Sequence, residues 1–490
     1  MALGAARRLL GLRARGFRAA LSDPDAAQAA VASRVAAGLV GTTFGRDHGI
    51  SGASDLARVP PRSWEELQPW LSEVRVGERG VIGRDPVLFF ETTSGSSGTH
   101  KQVPYTAGLR SVFTHLFVVW VHDVLAHGPP LVRRRCYFSV SPKLGEPEPG
   151  DADGIGDDLD YLDGWLRPLV APFVVMPVRA DERLAPDAFW DRLATGLLAA
   201  DDLEVVSVWN PSFFTILLDR IEGDLGRYAA QLGGRRGAAL RAGDWAAVWP
   251  RLRLLSCWGD AEAAPAADAL GRRLPDVTVQ PKGLLATKAP MTLPLIGSHG
   301  VPLVDAVLLE LLDEAGELHP LHTAEVGTTY EIVLSVPGGL TRYRIGDRVV
   351  VTGHREATPC LRFAGRTGGV CDLVGEKLHP DLVADALDAV LPGRPFRTLV
   401  PCLRPRPHYA LLLDAPAPDD VGAKLDTVLQ RAHHYRQARL LGQLGPPRVL
   451  VDPELPAAYV AAQPGARLGD VKPRALVPRP GDAWLERFGV

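Results

Sequence analysis

Apolar positions along this chain change their spacing from segment to segment, and the changes outline its elements. Residues 1–90 carry apolar side chains at helical intervals, as in AAQAAVASRVAAGLV, before the Pro-containing loop VPPRSWEELQPW. Asp23, Pro24 and Asp25 read as the stop of a first helix and the start of a second, because Asp favours the N-cap and Pro the first turn. From about residue 85 short apolar runs alternate with helical segments: VLFF, CYFSVSP, APFVVMPV, LEVVSVW, RLRLLSCWG and VTVQPKG. Such alternation predicts an α/β domain with a mostly parallel sheet. Between residues 302 and 363 the runs AVLLELLD, TYEIVLSV, RYRIGDRVVVTG and PCLRFAG follow one another without long helices, which predicts an antiparallel or barrel-like subdomain. Beyond GRTGGVCDLVGEKL, a helix (PDLVADALDAVL), a strand (HYALLLD), a second helix (KLDTVLQRAHHYRQARLL) and the strand RVLVD predict a small α+β lid hinged near Gly365–Gly369. The expected fold class is therefore α/β. A large N-terminal domain, residues 1–365, holds mostly parallel sheets plus the barrel-like subdomain, and residues 366–490 form the C-terminal lid.

Composition narrows the function classes. At 490 residues and 46% apolar content the chain supplies a substantial core, and a net charge of −3 gives no basic footprint for nucleic acid. Five scattered cysteines without a CxxC pair suit free thiols in a reducing compartment. The Arg-rich start, MALGAARRLLGLRARGFRAAL, fits an organelle transit peptide or an amphipathic first helix, and the helix is the plainer reading. No segment approaches the roughly 20 apolar residues that span a bilayer. Val118–Val121 reads as the inner face of a helix, and a soluble cytoplasmic protein without a membrane partner is expected. Only seven of the 54 basic residues are lysines, so each lysine kept in place of arginine carries information.

The candidate chemistry begins at Glu91, in ETTSGSSGTHKQVPYT. The spacing fails a Walker A loop, and Thr99 stands where a nucleophile elbow needs its closing glycine. What remains is a turn between an apolar run and the helical pattern LRSVFTHLFVVWVHDVL, suited to an anion. The hydroxyls of Ser94, Ser96, Ser97 and Thr99 can donate to phosphate oxygens, Gly95 and Gly98 permit close approach, and Lys101 offsets charge. A polar surface loop is the plain alternative. In TRYRIGDRVVVTG, Asp347 follows a Tyr-Arg-x-Gly turn, from which a carboxylate suits a pair of ribose hydroxyls. Arg366, in LRFAGRTGG, lies beside the glycine-rich hinge.

Taken in this order, SGSSGTHKQVPYT, SVWNPSFFTILLD, PKGLLATKAP, LTRYRIGDRVVVTG, PCLRFAGR, DLVGEKL and RLGDVKPRAL resemble the adenylate-forming superfamily of acyl-CoA synthetases, peptide-synthetase adenylation domains and luciferases. Within it they are most similar to the auxin-responsive Gretchen Hagen-type acyl acid-amido synthetases in their bacterial form, over roughly residues 15–480. The resemblance implies a two-step reaction. ATP and a carboxylic acid give an acyl-adenylate and pyrophosphate, then an amine, commonly an amino acid, displaces AMP. It also implies roles: Ser94–Lys101 for the ATP phosphates, Asp347 for the ribose and Arg366 for the nucleotide. Lys472, in GDVKPR, resembles the lid lysine that acts at the reacting centre, and Lys377 is a weaker candidate for such a role.

One position departs from the family pattern. Lys288, in GLLATKAP, stands where relatives carry a glutamate that helps to hold Mg²⁺, and an ammonium has no lone pair for a metal. Lys288 neutralises the phosphates itself as a catalytic residue with the metal held otherwise, marks a scaffold that binds nucleotide or acyl group without turnover, or is a recent near-neutral change in a chain whose function is decaying. A third class, the acyl-CoA ligases, shares the first half-reaction, but the Pro-x-Thr-x-Ser-Gly-Lys stretch typical of them is missing. The remaining signals are weaker. Asp151, Asp153 and Gly156 mimic calcium-loop spacing, but Ile155 and Leu162 stand at ligand positions. His433 and His434 are adjacent in a predicted helix and so do not share a face, and no metal site is expected there. Trp209 and Phe213 line an acyl pocket or pack in the core.

Overall fold

Asp23 ends one helix and begins the next. Its carboxylate accepts from the Ala26 amide at 3.1 Å, capping α2 (Pro24–Leu39) directly after α1 (Ala2–Ser22), as the Asp-Pro-Asp signal implies. The computed structural model describes residues 2–93, 101–133, 135–139, 143–144, 162–179, 182–394, 396–462 and 474–489. The described chain divides into two compact units. The larger is formed by the described residues of Met1–Thr93, Gln102–Pro211 and Leu217–Gly365, the smaller by those of Ser94–Lys101, Ser212–Ile216 and Arg366–Val490.

In the larger unit β1 (Val87–Thr93) and β2 (Lys101–Thr106) pair as a two-stranded ribbon, and α3 (Ala107–His127) follows β2. The serine-glycine stretch therefore joins two strands, where its pattern suggests a strand-to-helix turn. Pro104 hides β2 in the sequence, because proline removes a ladder donor and is tolerated in such a marginal strand. The apolar run VLFF opens β1 and is partly exposed, with Leu88 at 41%. Among the described helices α3 alone has the length and composition of a membrane span. Its Val118, Val119, Trp120 and Val124 are buried in the unit, and it packs on α1.

The apolar runs then deliver a four-stranded parallel sheet in the order β3 (Arg135–Phe138), β4 (Leu203–Ser207), β5 (Leu254–Cys257) and β6 (Thr278–Pro281). Every residue of β4 and β5 is buried, as expected for strands covered on both faces. Trp120 of α3 ties one face down by donating to Gln280 Oε1 at 3.0 Å. APFVVMPV is not a strand of this sheet. It makes a 3₁₀ turn at Ala171–Phe173 and one bridge from Val174 to Cys136, since Pro172 and Pro177 cannot donate to a ladder.

Residues beyond 302 form an antiparallel sheet in the order β8-β7-β9-β10-β11: β7 (Leu308–Leu312), β8 (Leu318–Pro320), β9 (Thr329–Ser335), β10 (Tyr343–Arg355) and β11 (Thr358–Arg366). The pattern suggests a barrel-like subdomain; the described strands make a sheet with β8 and β11 at its edges, β8 being only three residues long. Buried Arg342 holds this sheet to the N-terminal segment. Its guanidinium takes Glu310 in two hydrogen bonds of 2.9 and 2.7 Å and donates to the carbonyls of Ala57 and Val59 at 2.9 and 2.5 Å. To do so the residue sits at φ 46, a left-handed conformation that costs a side-chain-bearing residue of order 1–3 kcal/mol.

The smaller unit is entered through Gly365, Gly368 and Gly369, all at positive φ. It contains α4 (Pro380–Val390) and a three-stranded sheet in the order β12 (Arg397–Cys402), β13 (His408–Leu413) and β14 (Arg448–Val451). β12 escapes the sequence pattern because Pro401 speaks against a strand. The long expected helix is two, α5 (Val421–Leu429) and α6 (His433–Leu440), with His433 and His434 opening the second. Asp426 clasps them together, accepting from Tyr435 at 2.8 Å and from Arg439 at 2.9 and 3.0 Å.

Candidate active site

Parallel strands end on one edge, and open α/β sheets bind ligands beyond the carboxyl ends of their strands. That edge here is built by the residues just after β4, β5 and β6. The register aligns Ser207, Ser256 and Gln280, and backbone bonds continue past it, from Trp258 N to Trp209 O at 2.8 Å and from Lys282 N to Cys257 O at 2.6 Å. The Lys282 ammonium donates to Ser207 Oγ at 2.6 Å and lies 4.9 Å from the centre of the Trp209 ring. Trp209 in turn packs against Trp258, with centroids 6.1 Å apart. Asp260, two residues beyond Trp258, is half-buried, and burial raises its carboxyl above the ordinary range. It accepts from Phe363 N at 3.4 Å, which brings β11 of the antiparallel sheet to the same edge. Burial also pushes the thiols of Cys136 and Cys257 up to about 12, so neither supplies a thiolate.

Asp347 lies in β10, inside a strand where the Tyr-Arg-x-Gly pattern suggests a turn. Glu331 pairs with Arg348 and Val333 with Arg344, so Ile345, Gly346 and Asp347 stand opposite the single residue Ile332. This is a β-bulge, and Gly346 at φ 82 makes it possible, since side chains are disfavoured there. The Asp347 side chain at this bulge is buried at 4% exposure. Arg344 flanks it and is held by Glu331 in two bonds of 3.0 and 2.9 Å. Arg366 closes β11, at the end of the β10–β11 pair toward which Asp347 lies.

Lys288 occupies the two-residue turn between the paired strands Leu285–Ala286 and Ala289–Pro290 and is half-buried. Lys101 is the first residue of β2. Ser94, Gly95, Ser96, Ser97, Gly98, Thr99 and Lys472 lie outside the described residues, as does the calcium-like stretch up to residue 161. No cluster of three His, Cys, Asp or Glu side chains able to hold a metal occurs among the described residues. Phe213 is buried, and Trp209, two residues after β4, is half-buried. Lys282, Trp258 and Asp260 escape a reading of the sequence, and the lysine scarcity is the one signal that points to Lys282.

In the smaller unit the DLVGEKL motif is a tight turn closed by paired bonds between Cys371 and Leu378 at 2.9 and 2.8 Å. Fully buried Glu376 organises it, accepting from Leu373 N at 2.8 Å, from Val374 N at 2.7 Å and from the Tyr409 hydroxyl. Next to it Lys377 adopts φ 48. Burial, then the neighbouring Asp372, push the Glu376 carboxyl up to about 7 from its ordinary 4.5, outweighing the three donors. A raised folded-state value stabilises the fold below pH 4.5 and loses that contribution as pH rises through about 7. Urea denaturation of the wild type is therefore expected to show stability falling between pH 5 and 8 more steeply than in Glu376→Gln. Parallel pH profiles would refute this assignment.

A model of the GH3 family N-terminal domain matches residues 13–154, and a model of the GH3 family central domain matches residues 307–366, the antiparallel sheet that carries Asp347 and ends on Arg366. Over these two stretches the chain is similar to the GH3 family. An indole-3-acetic acid-amido synthetase of rice (Oryza sativa subsp. indica) is 24% identical to this chain over 421 residues, 73% of the chain and 68% of the rice protein. A GH3 domain-containing protein of Homo sapiens is 29% identical over 248 residues, 44% of this chain, and the match spans only 45% of the human protein. Among solved structures, an acyl acid amido synthetase in complex with 2,4-DB aligns with a TM-score of 0.64 at 16% identity, covering 96% of this chain and 95% of the other. A 2-hydroxyisobutyryl-CoA ligase aligns with a TM-score of 0.51 at 13% identity, covering 97% and 92%. At these identities the likeness is one of fold, a two-domain α/β architecture. The matched domains and these relatives make the chain similar to the GH3 acyl acid-amido synthetases. The placement in a bacterial branch rests on the sequence motifs alone.

Proposed function

We propose that this chain is a GH3 family enzyme that activates a carboxylic acid with ATP as an acyl-adenylate and transfers the acyl group to an amine, in the usual case an amino acid. The observation that carries this reading is the bulge in β10, which spends a glycine and three ladder positions where one buried carboxylate stands. Asp347 would accept from the two ribose hydroxyls, a pair of charge-assisted hydrogen bonds. Arg366 and Lys101 would meet the nucleotide and its phosphates, with the hydroxyls of Ser94, Ser96, Ser97 and Thr99 and the amides of Gly95 and Gly98 donating to phosphate oxygens. A carboxylate is a poor electrophile, and placing AMP on its oxygen creates a leaving group, so the protein's work is to position the reactants and offset phosphate charge. Residues 1–365 serve as the adenylate-forming body and residues 366–490 as the lid, with Lys472 acting on the acid in the first half-reaction.

Mg²⁺ fits this chain less well than its relatives. Lys288 cannot ligate a metal, and in our reading its ammonium takes over part of the charge compensation. Lys288 also favours a second reading, a nucleotide- or acyl-binding protein without turnover. Pyrophosphate release would be followed with ATP and a panel of acids beginning with indole-3-acetic acid, using the wild type and Lys288→Glu. The wild type is expected to release pyrophosphate only when acid is present, and the variant to reach half its maximal rate at a lower Mg²⁺ concentration. A silent wild type beside an active variant would establish the second reading. Product analysis with glutamate, aspartate or CoA as acceptor separates amide synthesis from thioester formation.

A further inference from the structure

We infer that Asp260 is a catalytic residue of the second half-reaction, its carboxylate taking the proton that the incoming ammonium loses before its nitrogen attacks the acyl-adenylate. The inference rests on the amide-synthesis reading above, and three features carry it.

The first is place. Asp260 stands three residues beyond β5, at the carboxyl edge where open α/β sheets receive their ligands. Gly259 before it lies so close to the end of β6 that a Cβ there would stand 2.8 Å from Pro281 Cβ. Ala261 after it is held at φ 48, a left-handed conformation that side chains disfavour. The backbone is thus constrained on both sides of the aspartate.

The second is aim. An aspartate directly before a helical turn ordinarily caps it. Asp260 precedes the 3₁₀ turn Ala261–Ala263, but its side chain makes no capping bond there. Its Oδ2 accepts instead from Phe363 N of β11 at 3.4 Å. The strand Ser298–Pro302 closes on the same place, since Gly300 lies so tightly on β11 that Leu361 O leaves no room for a Cβ. Exposed His299 and Arg362 therefore stand near enough to act on the carboxylate's charge.

The third is chemistry. An amine reaches the enzyme as an ammonium, which has no lone pair until a base takes a proton. Burial raises the Asp260 carboxyl above its ordinary range, outweighing the Phe363 amide, His299 and Arg362, and so makes it a stronger base. The Cys257 thiol at the end of β5 is pushed up to about 12 by burial and stays protonated. In the step itself the ammonium gives one proton to the Asp260 carboxylate, and the nitrogen lone pair forms the bond to the acyl carbon. The bond from that carbon to the phosphate oxygen breaks, AMP departs with the electron pair, and the second proton leaves on its phosphate. Asp260 returns its proton to water after product release.

Asp260→Asn keeps the volume and an oxygen for the Phe363 amide but gives up the base, whereas Asp260→Glu keeps a carboxylate. Both would be compared with the wild type, using the same panel of acids. Acid-dependent exchange of labelled pyrophosphate into ATP reads the first half-reaction, and amide formation with the common amino acids reads the second. Amide formation by Asp260→Asn is expected to fall about a hundredfold, at least about tenfold further than its exchange rate, as for loss of a general base. Asp260→Glu should recover part of that loss. Hydroxylamine supplies a readout that a structural role would not move. It arrives uncharged near neutral pH and needs no base, so hydroxamate formation by Asp260→Asn should lose about tenfold less than amide formation. Equal losses with amino acids and hydroxylamine, equal losses in exchange and amide formation, or no loss at all overturn the inference and leave Asp260 as a link to β11. A wild type that exchanges pyrophosphate but makes no amide overturns it too, while adenylation stands. A wild type without acid-dependent exchange refutes the adenylation reading itself, and the inference falls with it.

Discussion

Asp347→Ala is expected to lower kcat/KM for ATP by about a hundredfold to ten-thousandfold while leaving the fold intact. Two ribose hydroxyls donating to a buried carboxylate form two charge-assisted hydrogen bonds at about 1.5–3 kcal/mol each, and transition-state stabilisation falls by their sum. Asp347→Asn keeps the volume and one acceptor oxygen, so it should fall between alanine and wild type. Steady-state kinetics in ATP, with circular dichroism to confirm folding, would decide the matter. A wild-type rate in a folded alanine variant would remove Asp347 from the site and with it the reason given for the bulge.

The largest expected loss of stability belongs to Arg342, which plays no part in the proposed chemistry. Its guanidinium is 6% exposed and serves Glu310 and two backbone carbonyls together. Arg342→Ala strands a partly buried carboxylate and orphans those carbonyls, and breaking a buried pair from one side costs about 3–5 kcal/mol. Equilibrium denaturation should show that loss, offset in small part by relief of the left-handed backbone at φ 46. A Glu310→Gln, Arg342→Met double variant should be less damaged than Arg342→Ala, because it leaves no unpaired charge. If Arg342→Ala unfolds at the wild-type denaturant concentration, the rivet does not hold the sheet.

Much of this architecture is legible in local chemistry. The Asp-Pro-Asp signal locates the α1–α2 junction to the residue, and the apolar runs of β4 and β5 announce strands covered on both faces. Local reading fails where tertiary context decides. β2 and β12 each contain a proline that speaks against a strand, but neighbouring elements satisfy the backbone that remains. One long amphipathic pattern becomes α5 and α6 because Asp426 collects Tyr435 and Arg439, a clasp that no periodicity reports. The same division runs through the site. Asp347 is visible as a residue after a glycine, but a bulge exists only in relation to a partner strand. Lys282 lies within a quoted motif, but its bond to Ser207, 75 residues away, is not legible from the sequence.

Diffraction from crystals soaked with AMP tests the central claim most directly. The ribose is expected to lie with its hydroxyls on the Asp347 carboxylate at the β10 bulge. AMP bound elsewhere, with Asp347 making no contact to sugar, would contradict the assignment of this site.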